Sequence, residues 1–301
     1  MTGKTLVVIG GPTAVGKTAV AIELAKHFTT EIISADSRQF YREMTIGTAK
    51  PTNEERQAVR HHFIDSLSIH DYYNAWQFEQ DVLKFLETYF KRHDIVFLTG
   101  GSGLYIDAVC HGLDDLPTIK SEIRQNLLDR YEKEGIEGIR FELKQVDPEY
   151  YLQVDLKNPQ RILHALEIFY QTGKKFSVMR KEQAAERPFK IVKIIIHQER
   201  EILYERINDR VDKMIEKGLI KEAKLLYSHR QLSPLQTVGY RELFDHFDGR
   251  YDLEEAVRLI KRNTRHYARR QISWFKRDPK NLWIEPNLPI LIKQIEDALP
   301  V

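Results

Sequence analysis

The chain has 301 residues, 42% hydrophobic and 30% charged, with 46 Lys and Arg against 44 Asp and Glu for a formal net charge of +2. This is the composition of an ordinary globular protein, long enough for one large domain and a smaller second unit. No apolar run reaches the roughly 18 residues of a membrane span, the start runs straight into a strand without a signal-peptide pattern, and the single cysteine, Cys110, excludes a disulfide framework or a multi-thiolate zinc site, so a cytoplasmic protein with no membrane partner is expected.

The run from Thr5 to Ile9 is almost wholly apolar and β-branched, as a strand buried on both faces of a parallel sheet must be. Directly after it, Gly11-Pro12-Thr13-Ala14-Val15-Gly16-Lys17-Thr18 matches G-x-x-x-x-G-K-[ST], and a helix-like stretch from Lys17 to Phe28 follows, the strand–loop–helix context this phosphate loop requires. The glycines let backbone N–H groups turn inward, and the helix N-terminus adds partial positive charge. Lys17 can then reach two phosphates and the Thr18 hydroxyl can ligate Mg²⁺. What such a loop recognises is a pair of linked phosphates, and any pyrophosphate would satisfy it as well as ATP.

A second buried run, Glu31 to Ala35, leads into Asp36-Ser37-Arg38-Gln39-Phe40-Tyr41. A helix-like stretch from Trp76 to Tyr89 precedes the third run, Ile95 to Thr99, which leads into Gly100-Gly101-Ser102-Gly103. From Thr118 to Pro188 the alternation breaks: the segment is rich in Glu, Lys, Gln, Leu and Tyr at helical spacing, with no convincing strand. The fourth run, Ile191 to Ile196, resumes the pattern and is followed by His197 and Arg200. Strands alternating with helices predict a P-loop NTPase-like α/β fold, a doubly wound parallel sheet. Residues 1–117 and 189–301 form its catalytic core, and residues 118–188 a helical insertion domain.

Ligands of an open α/β sheet lie beyond the carboxyl ends of the strands, so these loops face the phosphate loop. An NTPase places an acidic residue after a second buried strand to help hold Mg²⁺, whereas IVFLTGGSG ends in Thr, Gly and Ser. That leaves Asp36 as the best-placed carboxylate, suited to a general base on an attacking nucleophile, with a helix cap as its other reading. The glycines around Ser102 allow backbone to approach a ligand closely, and Ser102 supplies a donor and an acceptor. Arg206 and Arg210, spaced i, i+4, could clamp a pyrophosphate or form a solvated face paired with Glu205 and Asp209.

Asp252-Leu-Glu-Glu255 reads as a capping box opening a basic helix. Arg258, Arg262, Arg265 and Arg269 fall in steps of four, three and four, which makes a stripe suited to a phosphate backbone. Tyr267, Trp274 and Phe275 among them could stack on bases or belong to the core. Thr237-Val-Gly-Tyr240-Arg241 reads as a turn into a helix, made either for packing or for RNA.

Taken in order, GPTAVGKT, DSRQFY, IGTAKP (46–51), GGSGLY, NPQRILHALE (158–167), TVGYRE and TRHYARRQISWF (264–275) resemble the tRNA dimethylallyltransferases, also called tRNA isopentenyltransferases, along nearly the full length. The resemblance implies that residues 11–18, with Arg206, hold dimethylallyl pyrophosphate with Mg²⁺ on Thr18. The acceptor it implies is N6 of the adenosine directly 3′ of the anticodon in tRNAs reading U-initial codons. Asp36 falls at the family's base and Ser102 beside the reacting centre, with Lys17 and Arg210 on the departing pyrophosphate. Ser37, Arg38 and Gln39 fall near the target base; Arg124, Gln160, Arg161, Tyr240, Arg241, Arg265, Arg269 and Arg270 fall at positions expected to touch the anticodon stem-loop. Relatives often carry Thr where this chain has Ser102, which keeps the hydroxyl. Eukaryotic relatives carry a C-terminal zinc finger that one cysteine cannot build, so the resemblance is to the bacterial form, acting as a monomer without an obligate protein partner. The rivals are a small-molecule kinase using ATP with Asp36 on a substrate hydroxyl, a prenyltransferase for free adenine nucleotides, and a non-enzymatic RNA-binding module.

Overall fold

The computed structural model describes residues 3–299 except Asp115, Thr118 and residues 181–184; the expected first residue of the insertion, Thr118, thus lies outside the described residues. The described chain divides into two compact units, Met1–His111 with Glu186–Val301, and Gly112–Ala185. The divisions fall a few residues before those expected from composition. No helix among the described residues is long and apolar enough to cross a membrane.

In the larger unit the chain enters through β1 (Thr5–Gly10), α1 (Lys17–His27), β2 (Ile32–Ser34), α2 (Asn53–Ala58), β3 (His61–His62), α3 (Ala75–Tyr89), β4 (Ile95–Gly100) and α4 (Gly103–His111). All six residues of β1 are buried. Leu6 and Val8 join one apolar cluster with Phe78, Leu86 and Leu98, while Val7 and Ile9 join another with Leu24, Ile32 and Phe97. Consecutive side chains thus feed opposite faces, which is why an unbroken apolar run marks a strand covered on both sides. α3 opens on a reciprocal capping box between Asn74 and Gln77.

The smaller unit holds α5 (Ser121–Val146), interrupted at Gly135 with φ 70°, then α6 (Pro148–Gln153), α7 (Pro159–Thr172) and α8 (Phe176–Met179). α7 is bounded by the Asn158 cap with Pro159 behind it and by Gly173 in the left-handed conformation. Its core gathers Leu127, Ile139, Leu143, Tyr150, Ile162, Leu166 and Phe176. Asp147, 1% exposed, is satisfied by the N–H of Tyr150 and by the N–H and hydroxyl of Ser177.

The larger unit resumes with β5 (Lys190–Ile196), α9 (Arg200–Glu216), α10 (Leu219–Leu226), α11 (Tyr240–Phe247), α12 (Leu253–Phe275), β6 (Leu282–Ile284) and α13 (Leu288–Ala298). Its six strands are all parallel in the order β3-β2-β4-β1-β5-β6. The edges β3 and β6 were not expected, because two or three residues are too few for a periodic signal. The capping box of α12 is half made: Asp252 accepts the Glu255 N–H at 2.8 Å, while the Glu255 carboxylate turns to the Arg258 guanidinium.

Candidate active site

The carboxyl ends of β1, β2 and β4 bring the predicted loops together. Gly11 has φ 146°, and a Cβ there would lie 2.5 Å from the Ile196 carbonyl; Gly16 has φ 103° at the entry to α1. Only glycine serves at these two turns. Lys17 Nζ lies across the loop and donates to the Pro12 carbonyl at 2.7 Å. Burial pushes its pKa down to about 7, with the Arg210 cation acting in the same direction and Asp36 opposing both.

Three adjoining cavities form the cleft. The largest, about 640 Å³, is lined by Lys17 and Thr18 of the phosphate loop, by Arg206, Arg210, Lys213 and Lys217, and by an apolar wall including Ile46 and Met214. A second, about 200 Å³, is lined by Asp36, Ser37, Arg38, Arg210, Thr264 and Tyr267. Between them a pocket of about 70 Å³ is shared by Lys17, Thr18, Asp36, Arg210, Tyr267 and Gln271. Arg210 lines all three, and Asp36 lines the second cavity and the pocket it shares with Lys17 and Thr18.

Asp36 Oδ1 accepts the Arg38 N–H at 3.0 Å, so the carboxylate closes a tight turn rather than capping a helix. The Ser102 hydroxyl accepts the Ser37 N–H at 3.0 Å and lies 3.2 Å from the Ser37 hydroxyl, which ties the β2 and β4 loops together. Tyr267 lines the second cavity and the small pocket beside Asp36, and its phenol is pushed up to about 12 by burial and by the Asp36 carboxylate. Burial lowers the Arg210 pKa, while Asp36 pulls it back; Asp36, rather than Asp209, is the carboxylate that Arg210 feels. Arg206 is exposed, with its guanidinium over Gly16.

Several expected contacts find other work. Gln39 is buried, its Oε1 accepting the Ser34 hydroxyl at 3.2 Å and its amide donating to the carbonyls of Thr48 and Ala49, so it fastens the 45–50 loop while also lining the pocket that holds Asp36. Tyr240, expected at tRNA, is fully buried; its hydroxyl donates to Glu222 at 2.6 Å, and a Cβ on Gly47 would lie 2.6 Å from its ring. This corrects Tyr240 from an RNA contact to a packing residue. The glycines around Ser102, expected to admit a ligand, admit the protein: a Cβ would collide with the Ala35 carbonyl at Gly100, with the Gln271 amide at Gly101 and with the Trp274 ring at Gly103. Phe275 joins the core, and Trp274 donates its indole N–H to Asp107 at 2.7 Å.

The basic stripe is uneven. Arg258 is forked onto Glu255, and Arg265 donates to Asn208 at 2.7 Å beneath the ring of Tyr204. Arg269 and Arg270 are exposed, as is Arg241. In the smaller unit Gln160 and Arg161 are exposed, whereas Arg124 holds the buried Glu167 at 2.8 Å.

Glu222, absent from the sequence reading, and Gln271, which that reading placed only within a segment expected to touch tRNA, organise the cleft. Glu222 accepts the N–H groups of Thr45, Ile46 and Gly47 at 2.8–3.0 Å, fixing the cavity wall. Gln271 bridges Thr13 and Gly101. Both act across long sequence separations, which no local pattern reveals.

The model of the IPP transferase family matches residues 39–278. tRNA dimethylallyltransferase 1 of Bacteroides fragilis is 51% identical over 286 residues, 95% of each chain. The protein of the same name from Phocaeicola vulgatus is 51% identical over 290 residues, 96% of this chain and 97% of that one. Among solved structures, the full-length tRNA isopentenylpyrophosphate transferase of Bacillus halodurans matches with TM-score 0.71 and 36% identity, covering 99% of this chain and 95% of the other. A eukaryotic dimethylallyltransferase acting on tRNA matches with TM-score 0.83 and 26% identity, covering 99% and 81% respectively.

Proposed function

The chain belongs to the IPP transferase family, and from that premise we propose that it moves a dimethylallyl group from dimethylallyl pyrophosphate to N6 of the adenosine 3′-adjacent to the anticodon in tRNAs reading U-initial codons. The observation that carries this reading is the place of Asp36, at the junction of a cation-lined cavity on the phosphate loop and a second cavity of acceptor size. The pyrophosphate lies on residues 11–18 with Arg206 and Arg210. The prenyl tail lies against the Ile46 and Met214 wall, and the adenine enters from the side of Ser37, Arg38 and Tyr267.

The exocyclic amine is a poor nucleophile because its lone pair is delocalised into the ring. As N6 bonds to the allylic carbon, the carbon–oxygen bond breaks, its electron pair leaves with the pyrophosphate, and the amine proton passes to Asp36. Lys17 and Arg210 stabilise the charge gathering on the leaving group. The adenine must leave its stack to enter the pocket, at about a few kcal/mol offset by protein contacts.

The donor set fits a magnesium ion brought in with the diphosphate, since the Thr18 hydroxyl lines both the largest cavity and the pocket beside Asp36 and Mg²⁺ keeps mainly phosphate and water ligands. When bound, the ion would neutralise diphosphate charge. The protein works in the cytoplasm on the anticodon stem-loop, without an obligate protein partner. The two units correspond to a catalytic core and a tRNA-contacting helical domain.

The test is incubation of the protein with labelled dimethylallyl pyrophosphate and an anticodon stem-loop, with labelled ATP in parallel. A prenylated adenosine in the digested RNA is the expected product. No prenylated nucleoside, together with transfer of ATP phosphate to a small molecule, would reject the reading.

Lys17 supplies a pH signature. Its pKa of about 7 must rise when two phosphates surround it, so donor binding takes up a proton above neutrality. The contribution of this group is full below pH 7 and is lost as pH rises, by up to about tenfold in affinity per pH unit. Calorimetry in buffers of different ionisation enthalpy should show this uptake between about pH 7.5 and 9, beyond the carboxylate and imidazole ranges. Lys17→Met should abolish it.

Arg269 and Arg270 supply a salt signature. Removing both should lower the slope of log affinity against log salt by about 1.4, at about 0.7 per phosphate on a single strand. Arg258→Ala, already committed to Glu255, should leave the slope unchanged; fluorescence anisotropy over a salt series reads both.

A further inference from the structure

Gln271 lies on α12 one turn beyond Tyr267 and is 6% exposed. Its side-chain amide joins two loops of the cleft: Oε1 accepts the Thr13 N–H at 2.8 Å and Nε2 donates to the Gly101 carbonyl at 2.8 Å. A buried amide with both ends held by main chain is costly to leave unpaired, so the three segments share one arrangement. The fit is made from both sides, because any Cβ at Gly101 would collide with this amide. Trp274 extends the same seam to Asp107. The helix that carries the exposed Arg269 and Arg270 therefore also holds the phosphate loop.

Resting on the reading of the cleft as a prenyl-transfer site, we propose that Gln271 is a positioning residue that makes donor and RNA binding cooperative. It acts through the main chain of Thr13 and Gly101, not on the reacting atoms. RNA held on α12 steadies the phosphate loop through Gln271, and a diphosphate seated in the loop steadies α12 in return, as linkage demands. The first ligand bears the cost of ordering the seam, and the second does not.

The experiment measures the affinity of the full chain for an unreactive thiolo analogue of dimethylallyl diphosphate, with and without a saturating anticodon stem-loop. In the wild type the RNA should tighten donor binding by about tenfold, within the usual range of coupling. In Gln271→Met, which fills similar volume without either hydrogen bond, the gain should fall below about twofold while affinity for RNA alone stays within about twofold. Gln271→Glu keeps the acceptor for Thr13 but sets a carboxylate against the Gly101 carbonyl. Burial raises such a carboxyl pKa, and the protonated acid can donate to Gly101, so cooperativity should return as pH falls from about 8 to about 6. The charged and titratable groups sharing its pocket are Lys17, Asp36, His61, Arg210 and Tyr267; the wild type keeps all of them, so the same pH series run on the wild type is the reference, and the difference between the two series isolates position 271.

Should the methionine variant fail to fold, the glutamate pH series decides alone. Absence of coupling in the wild type, or equal coupling in wild type and variants at every pH, overturns the inference. Prenylation of the stem-loop by the wild type with the natural donor is scored separately. A failed coupling with intact transfer thus rejects the role of Gln271, whereas failed transfer rejects the proposed function.

Discussion

Asp36→Ala should lower the single-turnover rate of prenyl transfer by about 10²- to 10⁴-fold, the range for loss of a general base, with affinity for the anticodon stem-loop nearly intact. One carboxylate oxygen is fixed by the Arg38 N–H, which orients the group while its other oxygen is left to take the amine proton. The informative companion is Asp36→Asn. It preserves shape and the contact to Arg38 but has no basic oxygen, so it should be nearly as slow as the alanine variant. If the asparagine variant keeps the wild-type rate, proton transfer to residue 36 is not part of the reaction, and Asp36 serves only to close its turn.

Arg210→Gln should cost about 10²- to 10³-fold in the transfer rate, the loss seen when one preorganised donor to developing charge is removed. The guanidinium lines all three cavities, so it can follow the pyrophosphate as the bond to carbon lengthens. Its positive charge also helps hold the Lys17 pKa down. Removing it must therefore raise the Lys17 pKa and move the pH at which donor binding begins to weaken upward. A slow variant whose pH profile does not move would place Arg210 away from Lys17 in the working enzyme. A variant with unchanged rate would remove Arg210 from the chemistry.

The parallel sheet was legible because its central strands are unbroken apolar runs, and the phosphate loop because its spacing sits between a strand and a helix. β3 and β6 were not legible, since His61–His62 and Leu282–Ile284 are held by their neighbours in the sheet and carry no pattern of their own. Asp36 and Ser102 could be placed beside the phosphate loop because the carboxyl ends of parallel strands must converge, Lys17 because it belongs to that loop's own spacing, and Arg210 through its i, i+4 spacing with Arg206. Tyr240 and the glycines around Ser102 misled for one reason. Close approach of a backbone reads the same whether the visitor is a ligand or another segment of the chain. The arginines of α12 could be counted along a helix, yet which were already engaged depended on Glu255, a local partner, and on Asn208, a distant one.

The carboxylate of Glu222 that fastens Thr45, Ile46 and Gly47 is made 175 residues after Gly47. At ribosomal speed that interval is roughly 10 to 35 s, during which the emerging polypeptide displays a finished phosphate-loop sequence beside an untethered wall. In a chain that stops short of Glu222, the amides of Thr45, Ile46 and Gly47 lack this acceptor, so the wall beside the phosphate loop is fastened only once the last third of the sequence has begun to emerge.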